Sequence, residues 1–289
     1  MKHDYNHIDL NSNPVKAPEG FFRNLEIPFT KTREEVWAEL EEKLSEKPAP
    51  KILVFKSHKL VLGIAAAILV LAGVFSLLRF HTTTVYCPSG QHLSYTLPDE
   101  SKVEMNAESK MSFKPLWWQF ARKINFEGEG YFNVEKGKEF EVVSDIGRTI
   151  VLGTSFNIYS RDREYKVTCI TGKVRVISYS SAATVLNPGY EASINSEGYL
   201  IVRSETNASA TLSWTKSMFN FTARPLIQVL NEIGRQYDVT VNLKAGLDFS
   251  YTGYFSKDRP VEEVLTLVCK PFGLTFVRIS EKVYEISQI

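Results

Sequence analysis

Residues 60–78 read LVLGIAAAILVLAGVFSLL, nineteen consecutive positions with no charge and one hydroxyl, Ser76. Twelve of them are Leu, Ile, Val or Phe. As a helix the run is about 28 Å long, close to a bilayer hydrocarbon thickness of about 30 Å. At about −0.3 to −0.6 kcal/mol for each large apolar residue, insertion into lipid is favoured by several kcal/mol. A buried core helix would be shorter or carry a polar face. A cleaved signal peptide would lie at the extreme N-terminus and end in small residues. Here 59 residues precede the run and Arg79-Phe80-His81 follows it. A lipoprotein would need a cysteine at the end of the run, and the first cysteine is Cys87. The expectation is a single-pass membrane protein whose spanning helix is kept in the mature chain. Gly63 and Ala67 form a small-xxx-small pair, which alone is better read as chance than as a dimer seam.

Lys51, Lys56 and Lys59 precede the run, and only Arg79 lies close after it. Cations collect on the cytoplasmic side of a span, so the N-terminus is expected in the cytoplasm. The formal net charge of the 289 residues is +1. A surface built for nucleic-acid phosphates leaves a visible Lys/Arg surplus, so no nucleic-acid partner is expected. Three cysteines, Cys87, Cys169 and Cys269, cannot all pair internally and show no metal-ligand spacing. They are expected as buried free thiols rather than a disulfide framework.

Residues 1–59 form a tail with few core-forming periodicities. Within it Thr32-x-x-Glu35 resembles a capping box opening a helix over residues 32–44. Val36, Trp37, Leu40 and Leu44 fall on one stripe, and Glu34, Glu39, Glu41, Glu42 and Lys43 populate the rest. Lys47-Pro48-Ala49-Pro50 ends the helix. A lone amphipathic helix has nothing of its own to pack against, so its apolar stripe is expected to dock on a partner. Lying on the membrane is the other use of such a helix, but an acidic polar face is repelled by anionic lipid.

Residues 85–204 are a succession of short strand-like runs. They include 101–105, 124–126, 131–134, 140–143, 149–152, 156–159, 166–170 and 173–177. Turn signals separate them at Pro98-Asp99, Gly128, Lys136-Gly137, Asp145-Ile146-Gly147, Thr171-Gly172 and Asn187-Pro188-Gly189. An all-β domain follows, solenoid-like or sandwich. The five histidines, His3, His7, His58, His81 and His92, are placed by sequence in the tail or near the membrane. Asp99/Glu100 and Glu127/Glu129 are carboxylate pairs expected to be solvated. With neither a histidine nor a credible acid pair in a pocket, no enzyme site, cofactor or metal is expected.

The same region resembles the FecR-type family of transmembrane anti-sigma regulators, in particular its short-tailed Bacteroidetes-like members. The resemblance rests on Leu97-Pro98-Asp99-Glu100-Ser101-x-Val103-x-Met105-Asn106 with Ser109, then Phe126-Glu127-Gly128-Glu129-Gly130-Tyr131-Phe132-x-Val134. Val151-Leu152-Gly153-Thr154-Ser155-Phe156-Asn157-Ile158, Gly172-Lys173-Val174-x-Val176 and Pro188-Gly189-Tyr190-Glu191-Ala192 continue it in order. Position 130 departs from the family, which more often has Ala there.

Residues 216–289 contain a duplication. Arg224-Pro225-Leu226-x-x-Val229-Leu230-x-x-Ile233-x-Arg235-x-Tyr237-Asp238-Val239-Thr240-Val241 recurs as Arg259-Pro260-Val261-x-x-Val264-Leu265-x-x-Val268-x-Lys270-x-Phe272-Gly273-Leu274-Thr275-Phe276. Each copy places Pro at the first position of a helix, where its missing N–H costs nothing, and carries one apolar stripe. Strands at 218–221 and 251–255 precede the helices, strands at 239–243 and 274–279 follow them, and 283–286 completes a sheet. This predicts a small α+β domain of two repeated βαβ units. It resembles the secretin/TonB short N-terminal fold.

The resemblance implies that the tail holds an extracytoplasmic-function sigma factor, with Val36, Trp37, Leu40 and Leu44 as its contacts. It implies that the terminal domain answers to the signalling domain of a TonB-dependent outer-membrane receptor. The chain would sit in the cell inner membrane with its C-terminus in the periplasm. Where signalling proceeds by proteolysis, intramembrane or periplasmic proteases join the partners. Some family members cleave themselves at a Gly-Thr bond, matched here by Gly153-Thr154; a tight turn with a hydrogen-bonded Thr is the plainer expectation. The alternatives are a structural or secretion-related envelope protein and, less favoured, a membrane-anchored enzyme.

Overall fold

In a computed structural model of the chain the described residues are 30–45, 58–180, 182–195, 197–204, 208–244 and 246–288. Residues 1–29, the Lys47-Pro48-Ala49-Pro50 link, and Lys51 and Lys56 lie outside them. The chain divides into two compact units, Met1–Gly63 and Ile64–Ile289.

In the first unit α1 covers Arg33–Ser45. Its start is the expected capping box. The Thr32 N–H donates to Glu35 Oε2 at 2.8 Å, and the Glu35 N–H donates to Thr32 Oγ1 at 3.4 Å. Two N–H groups that a helix start leaves open are thereby paired. Glu34 and Glu35 in the first turn and Lys43 in the last complement the helix dipole. α2, His58–Phe80, begins in this unit and ends in the next. It is long and apolar enough to cross a membrane. It extends past the uncharged run to include Lys59 and Arg79.

The second unit continues with thirteen strands. They are β1 (Thr83–Cys87), β2 (Leu93–Thr96), β3 (Lys102–Met105), β4 (Ser109–Phe113), β5 (Arg122–Asn133), β6 (Phe140–Val143) and β7 (Gly147–Val151). After them come β8 (Ser155–Arg161), β9 (Glu164–Thr171), β10 (Val174–Ser178), β11 (Ala183–Leu186), β12 (Tyr190–Ile194) and β13 (Leu200–Ser204). All belong to one nearly closed sheet in which β5 is shared. The first half of β5 pairs with β4 and, in parallel, with β6; the second half pairs with β3 and β8.

Gly128, expected as a turn between two strands, instead kinks one long strand where it passes between these two sets of neighbours. Its φ is +116°, and a Cβ there would stand 2.6 Å from the Ser109 Cα. Only glycine accepts both the angle and the contact. Burial alternates along β5, so Ile124, Phe126 and Phe132 enter one core with Val103, Met105, Met111, Phe156, Ile158 and Val176. Thr149 Oγ1 and the Tyr165 hydroxyl, 2.7 Å apart and buried, tie β7 to β9 across that core.

A 3-10 segment, Ala208–Lys216, leads into β14 (Met218–Pro225), α3 (Leu226–Tyr237), β15 (Thr240–Leu243), β16 (Ser250–Ser256), α4 (Val261–Cys269), β17 (Leu274–Ser280) and β18 (Val283–Gln288). The duplication is visible in three dimensions. Val229, Leu230 and Ile233 on α3 and their counterparts Val264, Leu265 and Val268 on α4 are all fully buried in a second core. Asp238 and Gly273, also counterparts, take the left-handed conformation at φ 56° and 65°. Pro225 and Pro260 sit at the N-cap, one position before the first helical turn.

The strands do not form the single sheet expected. β14 pairs antiparallel with β16, while β15, β18 and β17 form a separate sheet. Each copy's leading strand thus pairs with the other copy's leading strand, so neither copy holds a parallel pair of its own.

Candidate functional site

α1 presents its apolar stripe to solvent. None of its residues is buried; Trp37 is 61% and Leu44 73% exposed, with Val36 and Leu40 between 42% and 47%. Beside the stripe, Glu39 pairs with Lys31 at 2.6 Å and with Lys43 at 3.3 Å. The structure therefore brings Val36, Trp37, Leu40 and Leu44 onto one exposed face, as the spacing required, with none of the described residues covering it.

A second candidate site lies where α3 meets the β domain, and its residues were not singled out from sequence. Asn106, buried beyond the end of β3, accepts from Gln236 Nε2 at 2.6 Å through Oδ1. Its Nδ2 donates to Glu129 Oε2 at 2.8 Å and faces Glu232 Oε1 at 3.4 Å. Glu129 Oε1 accepts from the Asn157 amide at 3.1 Å. Glu232 accepts from Arg235 Nε and Gln236 Nε2, both at 2.9 Å, and lies 3.7 Å from Arg161 Nη1. Arg161 in turn donates to the Ala107 carbonyl at 2.9 Å. Asp162 accepts from the Tyr159 hydroxyl at 2.6 Å and pairs with Arg235 at 3.5 Å. The Arg224 guanidinium stands 4.7 Å over the Tyr159 ring.

Two carboxylates sharing this seam are pushed apart in acidity. Burial, then the charge of Glu232, holds the Glu129 carboxyl above the usual carboxylate range. Burial also opposes ionisation of Glu232, but Arg161, Arg235 and its hydrogen bonds outweigh it and its value falls. One acid thus tends to keep its proton beside another that stays charged. A cleft of about 520 Å³ runs along the seam, lined by Glu129, Asn157, Tyr159, Trp214, Arg224 and Glu232 among others.

Two expectations are corrected here. Glu129 is a half-buried network member and not a solvated charge. Asp99 likewise pairs with the buried Arg122 at 2.6 Å. His92, expected outside both domains, sits at the seam. Its Nε2 is 3.1 Å from Gln236 Oε1, and its ring stands edge-on to Trp214 at 5.3 Å. Burial, then the Lys257 charge, lowers its affinity for a proton. Alternation along β5 sets Glu129 on the outward phase with Lys123, Asn125 and Glu127, so periodicity pointed away from its place in the seam.

Gly153 and Thr154 lie in the bend between β7 and β8. Gly153 has φ +150°, and a Cβ there would meet Lys136 Cα at 2.8 Å. The Val134 N–H donates to the Thr154 carbonyl at 2.9 Å. The buried Thr154 hydroxyl has no hydrogen-bond partner among the described residues, in place of the satisfied Thr expected. The three cysteines are free and buried. Among the described residues no cluster of His, Cys, Asp and Glu is arranged to hold a metal ion.

Comparison with known proteins points the same way. The family described as FecR protein matches residues 83–175, and the one described as FecR, C-terminal matches residues 218–286. No curated protein matches the chain. Two crystal structures, each of a candidate anti-sigma factor from Parabacteroides distasonis ATCC 8503, are similar to it. One, at 2.50 Å resolution, is 26% identical with a TM-score of 0.66 and covers 72% of this chain and 100% of its own. The other, at 1.65 Å, is 25% identical with the same TM-score and covers 72% and 99%.

Proposed function

The chain belongs to the FecR family, and from that premise we propose that it is an anti-sigma factor and transmembrane signal transducer. α2 crosses the cell inner membrane once, with the tail in the cytoplasm and both folded domains in the periplasm. Val36, Trp37, Leu40 and Leu44 on α1 bind an extracytoplasmic-function sigma factor. The terminal domain engages the signalling domain of a TonB-dependent outer-membrane receptor. Intramembrane or periplasmic proteases act on the chain where release requires cleavage.

The observation that carries this reading is the exposed stripe on α1, a helix built and capped but without an apolar partner among the described residues. Membership of the family and similarity to candidate anti-sigma factors supply the class of partner. Lys51, Lys56 and Lys59 before the uncharged run, against Arg79 after it, support the orientation. β14, β15, β16 and β17 each pair on one side only among the described residues, so the terminal domain offers sheet edges for strand addition. No turnover chemistry is proposed. If the chain cuts itself, the Thr154 hydroxyl attacks the Gly153 carbonyl, the acyl group moves from nitrogen to oxygen, and water hydrolyses the ester.

Depletion of the chain, followed by transcript sequencing, tests the function. The account expects one class of sigma-dependent promoters to change together. Unchanged transcription with a disturbed envelope would favour the structural or secretion-related reading.

A further inference from the structure

Strand β1 starts three residues after α2 ends, and only His81 and Thr82 intervene, a reach of about 10 Å. β1 pairs with β4 in a register that sets Thr83 opposite Phe113. The segment following Phe113, Lys114-Pro115-Leu116-Trp117-Trp118-Gln119-Phe120, is thereby carried to the point where the chain leaves α2.

Its side chains divide. Trp118 turns inward, 4% exposed, with its ring edge-on to Phe113 at 5.5 Å and Phe140 at 5.8 Å. Trp117 turns the other way and meets Phe75 of α2 edge-on at 5.8 Å. Phe75 lies five residues inside the end of the helix, about 7 Å along its axis. Phe120 packs against Trp117 with its ring tilted by 32° at 4.5 Å yet remains 71% exposed, and Leu116 is 44% exposed. Arg79 lies 5.2 Å over the Trp117 ring and Lys114 5.6 Å over Phe80.

We propose that residues 114–120 are a membrane-interface anchor, with Leu116, Trp117 and Phe120 seated at the headgroup–acyl boundary of the leaflet from which α2 emerges. This rests on the reading of α2 as a spanning helix. A ring that touches Phe75 cannot stand clear of a bilayer that Phe75 occupies. Trp at the boundary, Leu and Phe below it and cations level with the phosphates is the distribution that interfacial segments adopt. The exposed apolar side chains then face lipid, and the β domain is held against the membrane surface in a fixed orientation by two attachments, α2 and this segment.

The test uses the full chain in vesicles of phosphatidylethanolamine and phosphatidylglycerol whose acyl chains are brominated near the headgroup. Tryptophan quenching is compared between the natural chain and Trp117→Phe, a change that keeps a ring on Phe75. The anchor predicts that Trp117 contributes a strongly quenched component, so the variant loses most of the bromolipid-dependent quenching contributed at the β-domain side. Equal quenching in both chains, with both retained on vesicles through an alkaline carbonate wash, overturns the anchor and leaves the span standing. A chain stripped by carbonate overturns the span and the anchor together.

Discussion

Gln236 on α3 donates a 2.6 Å hydrogen bond to Asn106 of the β domain, 130 positions earlier in the chain. Both residues are buried, and the contact stands at the centre of a polar seam with Glu129, Arg161, Glu232 and Arg235. Glu232 pairs with Arg161 and Arg235, and Asp162 with Arg235, while Arg161 Nε and Nη1 and Arg235 Nη2 make no hydrogen bond among the described residues. The charge pairs, not a fully bonded network, hold the two parts in one relative position. A load applied at the terminal domain then reaches the β domain, whose first strand follows α2.

Removing one member of the seam should loosen that connection. Glu232→Ala leaves Arg161 and Arg235 without their shared carboxylate and should destabilise the chain by about 3–5 kcal/mol. Urea unfolding checks this, and hydrogen exchange should rise first in α3 and in the residues around Asn106. A loss below about 0.5 kcal/mol would mean that the seam is solvated and does not fix the domains.

Stability should also depend on pH through Glu129. Its carboxyl is raised by burial and by Glu232. The folded chain therefore keeps a proton that the unfolded chain loses at about pH 4. That contribution is complete below the unfolded value and disappears as pH rises through the raised folded value. Glu129→Gln cannot titrate, so the variant should gain stability relative to the natural chain as pH is raised from about 4 to about 8. Denaturant curves for both chains across that range would show it. A difference independent of pH would contradict the raised value.

At the kink of β5, Gly128→Ala puts a Cβ against the Ser109 backbone at a φ of +116°. Strain and clash together should cost at least about 1–3 kcal/mol. The adjacent Gly130→Ala meets mainly the flexible end of Phe126, at 2.8 Å, and keeps an ordinary φ, so it should cost less. Thermal melts of the two variants should rank in that order.

Much of this architecture was legible because its causes are local. Nineteen uncharged residues announce α2 by length, the Thr32–Glu35 spacing announces the cap, and the 35-residue repeat announces two helices with matching buried triplets. Causes that act across the chain were not legible. Gly128 resembles a turn until β3, β4, β6 and β8 are placed on either side of it. Glu129, His92 and Asp99 carry no local mark of burial, since the groups that enclose them arrive from α3, the Ala208–Lys216 segment and Arg122. The pairing of β14 with β16 likewise depends on strands 30 or so residues apart that share no contiguous pattern.

Thr154 invites a separate experiment. Its buried hydroxyl has no partner, so Thr154→Val, which keeps the shape, should raise stability by about 1 kcal/mol. The same hydroxyl is the nucleophile that an N-to-O acyl shift at the Gly153–Thr154 bond would use. On a denaturing gel, a fragment seen in the natural chain should vanish with Thr154→Ala; an intact natural chain would rule out self-cleavage.

The central claim is that α1 binds a sigma factor through its exposed stripe. It is tested most directly by co-purification from detergent-solubilised membranes, using the full natural chain and a Leu40→Asp variant. Leu40 lies on the apolar face, away from the Thr32–Glu35 cap, so the helix should survive the change. The account predicts that an extracytoplasmic-function sigma factor copurifies with the natural chain. Truncating a central apolar contact of this kind costs about 2 kcal/mol or more, a loss of affinity of roughly 30-fold, so the variant should retain little of it. Capture by neither chain, or equal capture by both, would contradict it.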